Sequence, residues 1–444
     1  MLKDKRWQYL IAVVTVVLLV IIGYAIERHE TTSLLSSYLI LFLLYYAIIR
    51  NDAARINLRF WLGVAIASRL SLLLCLPALS DDFYRFIWDG RVLAAGYNPF
   101  NEVPSYYMSL SEPINGLDQE LFEELNSRDR YSSYPPVCQF IFWLSAKASP
   151  SSIFGSVIAM RLILLTFELG TLWILMKLIR ELNVPTHSIL LYALNPLVIL
   201  EVIGNLHFEG VMIFFLMLAI FILVRKGVWI SGVTFALSVC TKLVPLLFLP
   251  QLLPYLGRKK AIVYWAITGA VTLILFIPLL NAGIVHGFST SLGYYFQRFE
   301  FNASIYYLIR EGGLLIFGFN IIQYAGPFLA VSGAIAILMI SFRRVPERKP
   351  YTTIRLFEAM LWCLLIYFAV TTILHPWYII TLLAISIFTR YRFPVLWTGL
   401  IFLTYAGYTQ HGFHENLLFV GVEYALLAGY IFYETLWKRQ GVTF

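Results

Sequence analysis

Residues 60–100 read FWLGVAIASRLSLLLCLPALSDDFYRFIWDGRVLAAGYNPF, and this stretch decides the fold class. Residues 60–79 are almost all apolar, and a run of that length is enough for a helix to cross a bilayer. Directly after it come three aspartates and two arginines among aromatic side chains, namely Asp81, Asp82, Arg85, Asp89 and Arg91. The stretch predicts a membrane span that ends in a charged, aromatic segment at the membrane surface.

The composition extends this prediction to the whole chain. Hydrophobic residues make up 60% of the 444 residues and charged residues 13%, whereas soluble domains average about 45–50% and about 25%. A soluble globular protein is therefore excluded, and we predict an all-α polytopic membrane protein with about 12 full spans. The predicted spans are residues 7–26, 34–50, 60–79, 152–178, 188–204, 208–224, 261–280, 321–342, 354–373, 376–389, 394–410 and 417–436.

One more apolar region, residues 228–256, is interrupted by a lysine and a proline, Lys242 and Pro245. Both residues disfavour a continuous apolar helix, so we predict a broken or re-entrant pair at 228–241 and 243–256.

The distribution of basic residues predicts the orientation in the membrane. With the broken pair included, the basic clusters fall on one side, which the positive-inside rule makes cytoplasmic together with both termini. The net charge of +8 is thus a topology signal, and no nucleic-acid partner is expected. The long loops 80–151 and 281–320 then lie outside the cytoplasm, within a single domain of residues 1–444.

The first long loop is too aromatic to be disordered, and we predict a helix at about residues 81–95. Such an amphipathic helix would lie in the membrane interface with Tyr84, Trp88 and Ala95 facing lipid. Asp81, Arg85 and Asp89 follow an i, i+4, i+8 spacing that fits a purely structural ion-pair ladder. Asp82 does not follow this spacing, so an ion-pair ladder accounts for it less well than for the other two aspartates.

The stretch from Asp82 to Phe100 resembles a signature of the polyprenyl-phosphate-sugar-dependent mannosyltransferases of the GT-C superfamily. The resemblance is to bacterial family 87-like enzymes and, more distantly, to the catalytic subunit of the first GPI mannosyltransferase. Weaker matches follow in span order, at Tyr134-Pro-Pro, Asn205-Leu-His-Phe-Glu209, Lys242 and His375-Pro-Trp-Tyr378. Relatives often show His-Asn-Asp at the second of these, so the residue that would inherit its role stays open.

The resemblance implies inverting transfer of a hexose, with mannose favoured, from a polyprenyl-phosphate donor to a hydroxyl of a glycolipid or glycan acceptor. By its position in the motif Asp82 would be the base, with Asp81 as the substitute. Groups that could hold the donor phosphate or sugar are Arg85, Arg91, Lys242, Arg298, His375 and Tyr378. Residues for the acceptor or for other contacts are Asp89, Asn98, Tyr134, His207 and Glu209.

Each candidate also has a structural interpretation. Lys242 could instead extend towards the cytoplasmic interface beside residues 258–260, and a lone His207 is usually structural. The segment from His375 to Tyr378 could be an interfacial aromatic anchor. Arg161, inside a predicted span, needs a polar partner, for which Glu168 is suitably spaced.

No cofactor or obligatory metal is expected, because the Asp81/Asp82 pair offers few of the oxygen ligands that hard cations require. A weak divalent-cation dependence stays open. The four cysteines are too scattered for a disulfide framework. A soluble nucleotide-sugar donor is disfavoured because the chain has no glycine-rich phosphate loop.

Two other function classes remain at this point. A secondary transporter of a polar or lipid-linked solute has a similar number of spans, but usually shows repeated halves. A ligase or polymerase of lipid-linked glycans would place its main loop later in the chain. The expected location is a bacterial inner membrane with the site facing the periplasm, or alternatively the ER lumen. The sequence does not identify the acceptor or the oligomeric state.

Overall fold

The computed structural model describes residues 4–51, 57–342 and 351–437. Most of these residues are helical, as predicted, and the two short strands β1 (Tyr408–Thr409) and β2 (Gly412–Phe413) form one antiparallel hairpin. The predicted cytoplasmic C-terminus falls on residues 438–444, outside the described residues.

The α-helices follow one another along the chain with short connections. They are α1 (Lys5–Tyr24), α2 (Thr31–Ile49), α3 (Leu58–Ser71), α4 (Asp82–Ala94), α5 (Pro104–Met108), α6 (Gln119–Glu123), α7 (Pro136–Ala148), α8 (Ile153–Glu181), α9 (Leu190–Ala193), α10 (Pro196–Val198), α11 (Glu209–Val224), α12 (Val228–Val239), α13 (Leu252–Leu256), α14 (Arg258–Phe276), α15 (Ala282–Gln297), α16 (Ile305–Phe317), α17 (Ile322–Phe342), α18 (Thr353–Val370), α19 (Ile379–Ser386), α20 (Phe393–Leu400) and α21 (Leu417–Phe432).

Seven helices among the described residues are long and apolar enough to cross a membrane: α1, α2, α8, α14, α17, α18 and α21, some with a short terminal extension. An eighth is added if the bent pair of Thr186–Ala193 and Pro196–Gly204 forms one span. Shorter apolar helices occupy the predicted spans at 208–224, 376–389 and 394–410. The polytopic helical class is therefore confirmed, whereas the predicted count of about 12 spans stays a prediction.

The apolar run at residues 60–79 is not one helix. α3 has 14 residues and ends at Ser71. The carbonyls of Leu73 and Cys75, in the irregular segment that follows, accept hydrogen bonds from the buried Arg161. The predicted span is thus too long, because side-chain donors from α8 replace the helical hydrogen bonds of this segment.

The expected pairing of Arg161 with Glu168 is wrong. Arg161 donates its remaining bonds to the carbonyls of Ile203 and Gly204 at 2.8 and 2.9 Å. Glu168 instead pairs with Arg69 at 2.9 Å and accepts from the Tyr192 hydroxyl at 2.5 Å. These polar groups therefore tie α3, α8 and the bent pair together inside the bundle.

The predicted span at 188–204 is not one continuous helix, since the bent pair turns by 51° between its two halves. Asn195 and Pro196 explain the bend. Proline cannot continue the preceding helix, and the Asn195 side chain accepts from the Leu197 and Val198 amides as a cap for the second half. The break predicted at 228–256 is confirmed, because α12 ends at Val239 and a 3-10 turn, Val244–Phe248, follows Lys242.

The helix predicted at about residues 81–95 is confirmed as α4, but its predicted lipid-facing position is wrong. Nearly all of α4 is buried, with Trp88 inside the protein and Ala95 exposed beyond its end. It packs closely on α7, where Phe86 stacks on Phe142 at 4.8 Å. The start of α7 also holds the broken pair, since the Val137 amide donates to the Cys240 carbonyl at 2.9 Å.

Candidate active site

Asp82 lies at the first position of α4, where the helix dipole favours a carboxylate. Its Oδ1 accepts a hydrogen bond of 3.3 Å from the exposed Asn126 amide. Burial raises the pKa of the Asp82 carboxyl above its ordinary value, although the Asn126 bond and the charges of Lys242 and Arg28 oppose this. Asp82 is thus a carboxylate that takes up a proton more readily than an exposed aspartate.

Asp81 has a different environment from its neighbour. It precedes α4 and pairs with Arg28, from the connection between α1 and α2. The Arg28 guanidinium also lies over the Tyr408 ring, 4.8 Å from its centre. The expected ladder from Asp81 to Arg85 is therefore wrong in its first step, because Arg28 takes Asp81 instead.

The second step of that ladder is confirmed. Arg85 pairs with the fully buried Asp89 at 2.7 Å, and Asp89 also accepts from Ser132 and Gln139. Arg85 donates further to the carbonyls of residues 127 and 130. These bonds hold the segment that carries Asn126 and Tyr134 against α4. The contacts of Arg85 and Asp89 in the structure are therefore structural ones.

Three more predicted residues lie outside the cluster around Asp82. Arg91 is buried and donates to the Gly116 carbonyl at 2.5 Å. Asn98 donates to the Leu279 carbonyl at 2.7 Å and accepts from the Phe100 amide, as in a turn. Arg298 is exposed at the end of α15. None of these three is drawn to Asp82 by a described bond.

Lys242 comes close to Asp82 from the break between α12 and the following turn. Its ammonium pairs with Glu209, at the start of α11, at 2.5 Å, and lies 5.7 Å from the centre of the Tyr378 ring. The alternative placement of Lys242 beside residues 258–260 is not what the structure shows. Lys242 is the cation that most strongly opposes the rise in the Asp82 pKa.

Two histidines lie near this ion pair, and both stack on the same indole. The rings of His207 and His375 lie on Trp377 at centroid distances of 3.6 and 4.4 Å. Burial, with a contribution from the Lys242 charge, lowers the pKa of His375 to about 3. His375 is therefore neutral at physiological pH and offers a hydrogen bond, not a charge, to a ligand.

Tyrosines complete the surroundings of Asp82. Burial, followed by the Asp82 charge, raises the pKa of both Tyr134 and Tyr295, so their hydroxyls stay protonated. Tyr295 reaches the site because the Phe301 amide donates to the Thr372 carbonyl at 3.0 Å, which joins the segment after α15 to the one before His375. Tyr134 was predicted, whereas Tyr295 was missed.

Sequence reasoning also missed Asn126 and Arg28. Arg28 carried a usable signal, because an arginine between two predicted spans on the extracytoplasmic side departs from the positive-inside pattern. Asn126 carried none, since it is a single amide in a long loop.

In the described part of the chain, no group of three or more His, Cys, Asp or Glu side chains could hold a metal ion. The expectation that no metal or cofactor is required stays a prediction.

Comparison with known proteins adds two findings. A family model described as alpha-(1->6)-mannopyranosyltransferase, N-terminal domain, matches residues 10–258. The alpha-(1->6)-mannopyranosyltransferase B of Corynebacterium glutamicum is 30% identical over 151 residues, which is 34% of this chain and 24% of that relative. The match thus spans about a quarter of the relative's length. The family region contains Asp82, Asn126, Glu209 and Lys242, but not His375 or Tyr378.

Proposed function

Because this chain belongs to the alpha-(1->6)-mannopyranosyltransferase family, we propose that it transfers mannose from a polyprenyl-phosphate donor to a hydroxyl of a glycolipid or glycan acceptor. The family favours a glycosyltransferase over the transporter and ligase alternatives. The observation that carries the proposal is that Asp82 on α4 and Lys242 in the broken pair are opposite charges close enough for the Lys242 charge to oppose the rise in the Asp82 pKa.

Asp82 suits the role of general base. In an inverting transfer the acceptor oxygen bonds to the anomeric carbon as the bond from that carbon to the phosphate oxygen breaks. Asp82 takes the proton that the acceptor hydroxyl loses. A carboxyl with a raised pKa is a stronger proton acceptor than an ordinary aspartate, provided that it is ionised at the working pH.

Asp81 is the weaker candidate for the base. Its carboxylate is engaged by Arg28 in an ion pair, which an acceptor hydroxyl would have to displace. Asp82 instead has an amide partner, Asn126, which is exposed. The acceptor hydroxyl can therefore approach Asp82 without first displacing an ion pair.

Lys242 is suited to stabilising the leaving group. The departing polyprenyl phosphate gains negative charge as the bond to the sugar breaks, and a fixed ammonium stabilises that charge. Lys242 is 20% exposed while its partner Glu209 is 2% exposed, so a phosphate can reach the ammonium from the open side. His375 can add a neutral hydrogen bond beside it.

The proposed location is a bacterial inner membrane with this site facing the periplasm and both termini in the cytoplasm. Two features support this orientation. Along the sequence, the basic clusters fall in connections other than the long loop that follows Asp82, as the positive-inside rule requires of cytoplasmic loops. The donor is also lipid-borne, so the site does not need access to soluble nucleotide sugars.

The proposal is tested by incubating the purified protein with radiolabelled polyprenyl-phosphate mannose and a lipid extract as acceptor. We expect product with the unaltered chain, a loss of about 10²–10⁴-fold with Asp82→Asn, and a smaller loss with Asp81→Asn. Consumption of a nucleotide-linked mannose in place of the lipid-linked donor would contradict the proposal.

Unfolding would not explain such a loss. Since burial disfavours the ionised form of Asp82, replacing the carboxylate by a neutral amide removes a destabilising charge. Asp82→Asn should therefore melt at a temperature no lower than the unaltered protein in the same detergent, as followed by intrinsic fluorescence.

A further inference from the structure

Three buried side-chain atoms around the Lys242–Glu209 pair have no hydrogen-bond partner among the described residues. They are Oε2 of Glu209, Nδ1 of His375 and Nε2 of His207, the last of which lies 3.4 Å from a Glu201 oxygen. Buried polar atoms without partners are rare in folded proteins, and each needs an explanation. Glu209 contacts the cation proposed to hold the donor phosphate, so a ligand is the explanation that fits the position of its second oxygen.

We propose that Glu209 binds the 2-hydroxyl of the donor sugar and thereby selects mannose. This inference rests on the proposed function, because it requires the donor phosphate to contact Lys242. It adds a specificity-determining residue that acts on the sugar and not on the leaving group.

The geometry of the ion pair leads to this assignment. Glu209 Oε1 accepts from Lys242 at 2.5 Å, which leaves Oε2 free on the same carboxylate. In a sugar phosphate the anomeric carbon is joined to the phosphate oxygen, and carbon 2 is its neighbour in the ring. The 2-hydroxyl is therefore the sugar hydroxyl separated from the phosphate by the fewest bonds, and a phosphate held by Lys242 favours it as the partner of Glu209.

The chemistry of Oε2 narrows the class of ligand. A buried carboxylate oxygen requires a hydrogen-bond donor and repels a phosphate, so a hydroxyl fits and a second phosphate does not. Lys242 already occupies Oε1, and no third acidic or imidazole ligand completes a metal set within the described residues. Mannose and glucose differ only in the orientation of the 2-hydroxyl, so a contact at this group distinguishes the two sugars.

The backbone around Glu209 holds this residue in place. It begins α11 directly after the irregular segment 205–208, in which Leu206 has a left-handed φ of 61°. The His207 amide donates to the Glu201 carbonyl at 3.0 Å, which holds that segment against the bent pair. The carboxylate is thus held rigidly, as a residue that discriminates between hydroxyl configurations must be.

The test combines protein variants with altered donors. Polyprenyl-phosphate mannose, its 2-deoxy analogue and polyprenyl-phosphate glucose are supplied to the unaltered protein, Glu209→Ala and Glu209→Gln, and kcat/KM is measured for each. We expect the unaltered protein to prefer mannose over both analogues by at least about 100-fold. In Glu209→Ala this preference should fall to near unity, with an intermediate value in Glu209→Gln.

Comparing donors on one preparation separates specificity from damage to the fold, because partial unfolding lowers all rates by the same factor. Glu168→Gln is the matched control, since Glu168 is an equally buried partner of a cation, Arg69, with both of its oxygens engaged. Its donor preference should equal that of the unaltered protein.

The outcomes are distinguishable. If mannose is transferred and the preference is the same in Glu209→Ala as in the unaltered protein, the assignment of Glu209 is wrong while the proposed function stands. If the unaltered protein uses no polyprenyl-phosphate sugar, both fail together. If Glu209→Ala does not fold, Glu209→Gln gives the same comparison with the side-chain volume preserved.

Discussion

At the scale of single residues, the two adjacent aspartates show how neighbours in sequence acquire different chemistry. Asp81 faces a guanidinium, whereas Asp82 faces an amide and is partly withdrawn from water. The first environment places the Asp81 carboxylate in an ion pair, whereas burial in the second raises the pKa of Asp82. The difference arises from residues 28 and 126, which are remote from both aspartates along the chain.

The raised pKa of Asp82 predicts a pH dependence. A base acts only when ionised, so activity should fall as the pH drops through the Asp82 pKa, and this acidic limb should lie above the ordinary aspartate value of about 3.9. The Asn126 bond lowers the pKa of Asp82. Asn126→Ala should therefore move the limb to higher pH, as measured by kcat/KM between pH 4 and pH 8, a range that extends about four units upward from the pKa values usual for carboxylates.

The other charged or titratable groups that influence Asp82 stay in place in this variant. They are Lys242, Arg28, Asp81, Glu209, Tyr134, Tyr295, Tyr378 and Tyr408. Gln119→Ala is a suitable control, since the Gln119 amide bonds only to Glu123 among the described contacts. An unmoved limb in Asn126→Ala would show that this bond does not tune the base.

Among the ion pairs, the sequence could predict one between residues close together in a helix but not those between residues far apart in the chain. The pair of Arg85 and Asp89 followed from helical spacing and is correct. Arg28 with Asp81, Arg69 with Glu168 and Lys242 with Glu209 are 53, 99 and 33 residues apart. Such partners depend on how the helices pack, which no local spacing encodes.

At the scale of elements, the packing of α4 on α7 positions the site, because α4 carries Asp82 and the start of α7 holds the turn of Lys242. Gly90 allows this close approach. A Cβ added at Gly90 would overlap the Phe142 carbonyl oxygen in the α7 backbone. The two helices would have to separate to accommodate a side chain.

Gly90→Ala should therefore destabilise the protein by about 1–3 kcal/mol, as expected for overpacking, and lower activity by displacing Asp82 from Lys242. Thermal unfolding in detergent and the mannose-transfer assay measure the two effects. Gly63→Ala is the control, since α3 leaves open space at that position. Equal stability of the two variants would show that the α4–α7 contact is looser than described.

Among the elements, α4 and the broken pair were predictable because their signals are local, a charged helix start in one and Lys242 with Pro245 in the other. The bend at Asn195 and Pro196 carries the same kind of signal, although the apolar run around it predicts one continuous span. The early end of α3 was not predictable, because it depends on hydrogen bonds from Arg161 on a different helix.

At the scale of the whole molecule, the orientation in the membrane can be tested with the chain's own cysteines left in place. All four are buried and unpaired, so they give little background with a membrane-impermeant thiol reagent. Glu112→Cys lies on the exposed loop before α6 and Lys259→Cys at the exposed start of α14.

In spheroplasts of a bacterial host we expect Glu112→Cys to be labelled at once and Lys259→Cys only after lysis. The reason is that basic clusters stay cytoplasmic while the first long loop faces outwards. Labelling is quantified by a gel shift. The reverse pattern would contradict the periplasmic placement of the site.

The contact of Arg28 with Asp81 and Tyr408 bears on whether the chain can be shortened to the region that matches the family. The region that matches the family ends at residue 258, yet a fragment cut there would lose Tyr408, His375 and Trp377. His207 would lose the indole on which it lies, and Arg28 would lose one of its two partners. The region that matches the family is thus not expected to form the complete site by itself. A chimaera that carries this site into another protein requires segments from both sides of residue 258.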